Sequence, residues 1–292
     1  MDDQRCVAVL GAGSTMGLGM SRNLARAGFR VRSWNRTVEK ARPLEEHGAD
    51  VLDTPGEAAD GADVLLTILS DADAVTGVFE DAANSAQDDA IWLQMSTIGE
   101  AGTERCAEVA ERRGLTLIDA PVLGTKQPAE EGKLVVLASG PQEARERVQP
   151  IFDAVGQKTI WVGEAGAGTR MKMVANSWVL TVVEGVAETI ALAEGLGLDP
   201  NLLLDAIEGG ALDLPYLRMK TKAIMARNFE PSFRLTLAAK DARLIEESAE
   251  RHGIDTPLFS TIRRRLAEGA KEHGDEDFSA TYLTSAPRPR GA

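Results

Sequence analysis

Apolar runs at residues 6–10, 29–34, 64–69, 91–95, 115–119 and 134–138 are short and bounded by polar or glycine-containing segments, and they read as strands. Between them, 16–27, 38–47, 101–112 and 143–155 carry apolar residues at helical spacing. Strands alternating with helices predict βαβ units and a mainly parallel sheet. One more strand, 159–162, leads into a cluster of glycines at Gly163, Gly166 and Gly168.

Past Gly168 the pattern changes. Val174, Val179, Val182, Val183, Val186, Ile190 and Leu192 recur at helical spacing, and the run stops near Gly195 and Gly197, residues that suit a helix end. This segment is apolar around most of its circumference, which predicts burial between layers or against a second subunit. Three or four further helices follow, with Pro200, Pro215, Pro231 and Pro257 at their starts or in the gaps, and no strand is expected beyond about residue 163. The expected division is 1–163 for the sheet domain, 164–284 for an all-helical domain and 285–292 for a flexible tail with the sequence SAPRPRGA.

Composition narrows the function classes. The chain has 292 residues, 43% of them hydrophobic, enough for two cores. A net charge of −13 argues against a nucleic-acid partner, although a helix N-terminus or a single arginine can still bind an anionic cofactor locally. Cys6 and Cys106 lie far apart without metal-ligand spacing, so reduced thiols and no metal site are expected. No secretory-type stretch precedes Val7 and no apolar run is long enough to span a bilayer. The expectation is a cytoplasmic protein without a membrane partner.

The segment VAVLGAGSTMGLGM follows the first strand and opens the first helix. Glycine there lets backbone N–H groups approach a pyrophosphate, and the helix N-terminus favours its charge. Gly11, Ala12, Gly13, Ser14, Thr15, Met16 and Gly17 are therefore expected to bind a dinucleotide, in an α/β fold of the Rossmann type: a doubly wound, mainly parallel sheet, followed by an all-α domain led by a long interdomain helix. The second strand ends in Asn35, Arg36 and Thr37, where an NAD-preferring site usually has an acid for the ribose hydroxyls. Arg36 offers a planar fork for a 2′-phosphate and Thr37 a hydroxyl, which predicts NADP(H).

Lys172 and Asn176 stand four apart at the start of the long helical run, on one helix face. A carbonyl that receives a hydride needs a proton or a stabilised oxyanion, and a partly desolvated lysine can donate that proton. Asn176 could orient the lysine or the substrate hydroxyl. Spacing alone leaves open that Lys172 is an ordinary surface lysine.

Several separated motifs decide between these. The chain resembles the β-hydroxyacid dehydrogenases, the family of 3-hydroxyisobutyrate dehydrogenase and the glyoxylate/succinic semialdehyde reductases. GAGSTMG resembles the family's GxGxMG loop, DAPVLGT from Asp119 to Thr125 its DAPVSGG loop, and Gly163, Gly166, Gly168, Lys172 and Asn176 its GxxGxGxxxKxxxN pattern. Lys240, Asp241 and Leu244 match its KDxxL motif. The continuation KQPAEEGKL looks most like the glyoxylate/succinic semialdehyde reductases.

The resemblance implies roles. Lys172 and Asn176 would be catalytic, Lys172 as proton donor in reduction. Leu69, Ser70, Thr97 and Lys240 would join the glycine loop and Asn35–Thr37 in holding the cofactor, with Lys240 closing over it. Ser96, Leu123, Gly124, Thr125, Phe233 and Asp241 would line the substrate, a small carbonyl compound or hydroxyacid. From sequence alone Ser96 and Thr97 also suit a helix N-cap, Lys240 and Asp241 a solvated charged pair, and Phe233 a core position.

Two departures stand out. The glycine loop has one residue more than the family pattern between Gly13 and Met16, which predicts a bulged loop. Leu123 replaces the serine of DAPVSGG, removing a hydroxyl from the expected carboxylate site and predicting either a less polar substrate or binding by backbone N–H groups near Gly124 and Thr125. Two other readings remain: an imine reductase on the same fold, where Asp or Tyr usually takes the place of Lys172, and a non-catalytic NADP-binding module. The apolar segment after Gly168 further predicts a homodimer or higher homo-oligomer.

Overall fold

A computed structural model describes residues 5–286. The chain divides into two compact units, residues 1–173 and 174–292.

The first unit starts with β1 (Cys6–Leu10), α1 (Thr15–Arg26) and β2 (Arg30–Trp34), followed by β3 (Asp50–Leu52), α2 (Pro55–Ala59), β4 (Val64–Thr67), α3 (Ala72–Ala82), β5 (Ile91–Gln94) and α4 (Gly99–Arg113). It continues through β6 (Thr116–Asp119), β7 (Val122–Leu123), α5 (Lys126–Glu130), β8 (Leu134–Ser139), α6 (Arg145–Val155) and β9 (Gly156–Gly163), and ends in the first residues of α7 (Ala167–Gly195). The strand order is β3-β2-β1-β4-β5-β6-β8-β7, with β9 on β8. From β3 to β6 every pairing is parallel, while β8 runs antiparallel to β6 and β7 and parallel to β9. The expected doubly wound, mainly parallel sheet is present.

Side-chain alternation explains the two layers. Val7 and Val9 of β1, Val64 and Leu66 of β4, and Ile91 and Leu93 of β5 join one apolar cluster, with Met20 and Leu24 of α1 and Ile151, Phe152 and Val155 of α6. Cys6, Ala8 and Leu10, Leu65, and Trp92 point the other way, into a cluster with Phe79 of α3 and Cys106 and Val109 of α4.

Several elements differ from the sequence expectation. Residues 38–47 form two 3-10 turns, Val38–Lys40 and Arg42–His47, rather than one helix; Pro43 has no N–H with which to continue an α-helix through this stretch. Five short or weakly patterned elements were not expected: β3, α2, α3, β7 and α5.

The second unit holds the rest of α7, then α8 (Asn201–Ile207), α9 (Pro215–Met225), α10 (Leu235–Arg251), α11 (Pro257–His273) and a 3-10 turn at Phe278–Thr284. Pro215 and Pro257 stand in the first turns of their helices, where the missing N–H costs nothing. Within one chain the long helix buries one side and exposes another. Val186, Ala187, Ile190 and Ala191 pack with Ile224 and Tyr282, while Val174, Trp178 and Leu192 are exposed. Of the expected tail, Ser285 is hydrogen-bonded through its N–H to Tyr282 O and through its hydroxyl to Arg265, and residues 287–292 lie outside the described residues.

Candidate active site

The glycine loop is fixed by backbone packing. Gly11 takes φ 103°, and a Cβ on it would stand 2.3 Å from the Ile68 carbonyl oxygen at the end of β4. Gly11 N and Ala12 N donate to Trp34 O at 2.9 and 3.0 Å, tying the loop to the end of β2. Ser14 caps α1, its hydroxyl accepting from Gly17 N at 3.0 Å. A Cβ on Gly17 would fall 2.2 Å from Gly11 O, so only glycine lets the helix start this close to the loop. With Ser14 of GAGSTMG as the N-cap, α1 runs unbroken from Thr15 to Arg26. The helix N-terminus, with the N–H groups of Thr15 and Met16 in its first turn, is the kind of donor set that receives a pyrophosphate.

Beside this loop, Asn35 packs against Gly13, a Cβ on which would meet Asn35 Cγ at 2.7 Å, and Asn35 Nδ2 donates to Thr37 O at 2.9 Å. Arg36 and Thr37 are exposed, and Arg36 has no hydrogen bond or ion pair among the described residues. An unengaged guanidinium and a hydroxyl at the end of β2 fit a phosphorylated ribose, so the residues present suit a 2′-phosphate dinucleotide.

At the ends of β4 and β5 the serine and threonine expected near the nicotinamide behave differently from each other. Ser96 is fully buried; its hydroxyl accepts from Leu69 N at 2.8 Å and lies 3.3 Å from Thr67 O, and its N–H donates to Gln94 Oε1 at 2.6 Å. Through these internal bonds Ser96 fixes where Leu69 stands. Thr97 is half-buried, and Ser70 is exposed with its hydroxyl on Asp71 Oδ2 at 2.7 Å.

The segment DAPVLGT runs from the end of β6 through β7 to the start of α5. Leu123 pairs with Val135 in an antiparallel bridge and is half-buried, Gly124 takes φ 131°, and Thr125 precedes the first turn of α5. Lys172 Nζ donates to the Val122 carbonyl at 2.7 Å, and Lys172 is 8% exposed. The ammonium is thus held inside the protein, on the strand that carries Leu123, and is not the solvated surface lysine that spacing alone allowed.

Asp119 is a residue that the sequence reading quoted without giving it a function. It is wholly buried; its carboxylate accepts from Thr169 N and Thr169 Oγ1, both at 2.8 Å, and from Ser139 Oγ at 3.1 Å. Burial raises its pKa above the ordinary carboxylate range, against the opposing hydrogen bonds from Thr169 and Ser139. The signal in the sequence was a carboxylate on the last residue of a strand, three before Val122.

In the second unit, Asn176 Nδ2 donates to Asp241 Oδ2 at 2.7 Å, and Lys240 Nζ stands 2.9 Å from Asp241 Oδ1. Asp241 is 3% exposed, so these are not a solvated pair: one buried carboxylate fixes both Asn176 and Lys240. Phe233, half-buried, stacks at a tilt on Phe278 with ring centroids 5.1 Å apart, and its N–H donates to Asp277 Oδ2 at 3.3 Å. Asp277 in turn is paired with Lys220 at 2.7 Å.

Residues 6–163 match the family profile of the NAD binding domain of 6-phosphogluconate dehydrogenase. Residues 166–284 match that of the NAD-binding domain of NADP-dependent 3-hydroxyisobutyrate dehydrogenase. The chain belongs to the β-hydroxyacid dehydrogenase family. It is 31% identical to glyoxylate/succinic semialdehyde reductase 1 of Arabidopsis thaliana over 94% of this chain and 96% of that one. Among solved structures it is similar to the 3-hydroxyisobutyrate dehydrogenase of Mycobacterium tuberculosis with L-serine, at TM-score 0.87 and 30% identity over 96% of this chain and 99% of that one. An imine reductase from Streptomyces aurantiacus shares the fold at TM-score 0.64 and 21% identity, over 97% of this chain and 100% of that one. As a β-hydroxyacid dehydrogenase the chain is an oxidoreductase of CH–OH and C=O groups, with NADP(H) as its cofactor. No helix among the described residues is long and apolar enough to cross a membrane.

Proposed function

We propose that this dehydrogenase reduces small aldehydes or oxo acids with NADPH, reversibly, with Lys172 giving the proton. The single observation that carries this reading is the buried Lys172 ammonium, 2.7 Å from the Val122 carbonyl on the segment that holds Leu123 and Gly124.

A bound reduced nicotinamide would supply the hydride, two electrons and one hydrogen, that the carbonyl carbon needs. The carbonyl oxygen then needs one proton to become the hydroxyl, and Lys172 donates it; in oxidation the neutral amine takes the proton back. An ammonium has three donors, so Val122 O can orient the nitrogen while a proton is passed on. Asn176 and Lys240 are both held by Asp241; Asn176 would orient the substrate oxygen and Lys240 would meet the cofactor's charge. The first turn of α1 would hold the pyrophosphate, and Arg36 with Thr37 the 2′-phosphate. Backbone at Leu69 and Ser70 would contribute to cofactor binding, Thr97 would lie near the nicotinamide, and Ser96 holds Leu69 in place.

Leu123 favours a substrate with less charge beside the carbonyl, since it offers no hydrogen bond to a carboxylate. A panel of glyoxylate, succinic semialdehyde, short uncharged aldehydes and a cyclic imine, each with NADPH and with NADH, tests the reading. Carbonyl turnover preferring NADPH is expected, and Arg36→Ala should weaken NADPH binding roughly 10- to 100-fold while leaving NADH nearly unchanged. Turnover of the imine alone would replace the carbonyl reading with the imine one.

The oligomeric reading is supported by Trp178 and Leu192 on α7, 64% and 63% exposed, and by Leu196 just past its end, 66% exposed. A homodimer through this helix is expected in sedimentation, and a monomer at micromolar concentration would contradict it. Two free, buried thiols, with Cys106 pushed up to about 12 by burial and by the neighbouring Asp119 charge, suit a reducing cytoplasm.

A further inference from the structure

Residues 119–122 grip the start of α7 at two points. At the first, the Asp119 carboxylate accepts the N–H and the hydroxyl of Thr169, both at 2.8 Å. At the second, three residues further along both segments, the Val122 carbonyl accepts from Lys172 Nζ at 2.7 Å. Thr169 and Lys172 are three apart on one helix, so their side chains share a face. Fixing Thr169 therefore fixes the rotation of the helix about its axis, and with it the direction in which Lys172 leaves the backbone.

The first grip is enclosed and reinforced. Asp119 is 0% exposed and Thr169 1%. Ser139 Oγ lies 3.1 Å from the Asp119 carboxylate and accepts Gly168 N–H at 2.9 Å. Thr169 Oγ1 is also 2.9 Å from Thr103 Oγ1 on α4. A Cβ on Gly168 would stand 2.3 Å from Leu137 O, so the helix start lies directly on the backbone of β8. Unsatisfied, the Thr169 N–H would be a buried orphan, which the helix would move to relieve.

We infer that Asp119, acting through Thr169, is a positioning residue that sets the orientation of the Lys172 ammonium for proton transfer. This rests on the reading of Lys172 as the donor. Neither residue touches substrate in this account; both act through the angle of one helix turn.

The test uses Asp119→Asn, Thr169→Val and Thr169→Ser in the full chain, beside Lys172→Ala. Thr169→Val keeps the shape and loses the hydroxyl, and Thr169→Ser keeps the hydroxyl. Turnover is measured with the fastest carbonyl of the panel, with NADPH dissociation constants, the pH profile of kcat/KM, and the ¹H–¹⁵N signal of the Lys172 ammonium, which its bond to Val122 O protects from exchange. Asp119→Asn and Thr169→Val are expected to lower kcat up to about 100-fold, as small misplacements of a catalytic group do. KM and the NADPH constant should stay within about twofold. The lysine limb of the pH profile should move, the ammonium signal should broaden or vanish, and Thr169→Ser should restore all of these. Folded variants with wild-type kcat and pH limb would overturn the inference, as would a fall in kcat with the limb and the ammonium signal unmoved. If Asp119→Asn does not fold, Thr169→Val decides alone. If Lys172→Ala turns over normally, the donor reading fails; the ammonium signal then still decides the positioning, by its loss or survival in Thr169→Val.

Discussion

Asp119 in the sheet unit and Asp277 in the helical unit are both buried carboxylates, yet their pKa values move in opposite directions. Desolvation is the largest effect on each and pushes both up. Around Asp119 the opposing groups are neutral donors, the N–H and hydroxyl of Thr169 and the hydroxyl of Ser139, and the net shift is upward. At Asp277 the charge of Lys220, its hydrogen bond, and those from Ser279 and Ser232 together outweigh burial, and the net shift is downward. The comparison teaches how each unit fixes its candidate site groups. In the sheet unit, backbone packing and neutral hydrogen bonds hold the glycine loop and the start of α7. In the helical unit buried charges hold Asn176, Lys240 and Phe233: Asp241 with Lys240, and Asp277 with Lys220.

The largest effect expected from breaking this contrast is at the paired charge. Asp277→Ala leaves the Lys220 ammonium, 5% exposed, without its carboxylate and removes the acceptor for Ser232 and Phe233 backbone N–H groups. Denaturant unfolding should show a loss of about 3–5 kcal/mol, the usual result of removing one partner of a buried pair. A loss below about 1 kcal/mol would show that the pair is not what holds this part of the helical unit.

A smaller effect sharpens the comparison through pH. Asp277, with its pKa lowered, contributes stability that is present above pH 3.8, its ordinary value, and is lost as pH falls through the folded value. Asp119, with its pKa raised, contributes most when protonated, and that contribution is lost as pH rises from 3.8 through the folded value. The stability advantage of wild type over Asp277→Asn should therefore grow with rising pH, and that over Asp119→Asn should shrink. Urea melts from pH 3 to 8 check both slopes, and slopes of the same sign would remove the distinction.

What the sequence disclosed follows the same division. The central strands were readable because their residues are almost all apolar and feed two opposite layers, as Val7 and Val9 against Ala8 and Leu10 show. Elements with little patterning were not: β7 is two residues long, and in α3 the buried Val75, Thr76, Phe79 and Ala82 are interleaved with Asp73, Gly77 and Glu80. Pro43 broke an otherwise helical run. Motif spacing located Lys172, Asn176, Lys240 and Asp241, but not what each one touches. That Ser96 faces inward to Leu69 N, or that Asp119 reaches Thr169 across fifty positions of sequence, depends on how strand ends meet, which local pattern does not encode.

The central claim, a buried ammonium as proton donor, has one direct measurement: kcat for Lys172→Ala set against its NADPH dissociation constant, with the best carbonyl of the panel. The account predicts a fall in kcat of roughly 10²- to 10⁴-fold, the usual contribution of a general acid, with NADPH binding within about twofold of wild type. Turnover close to that of wild type in a folded Lys172→Ala enzyme would contradict it.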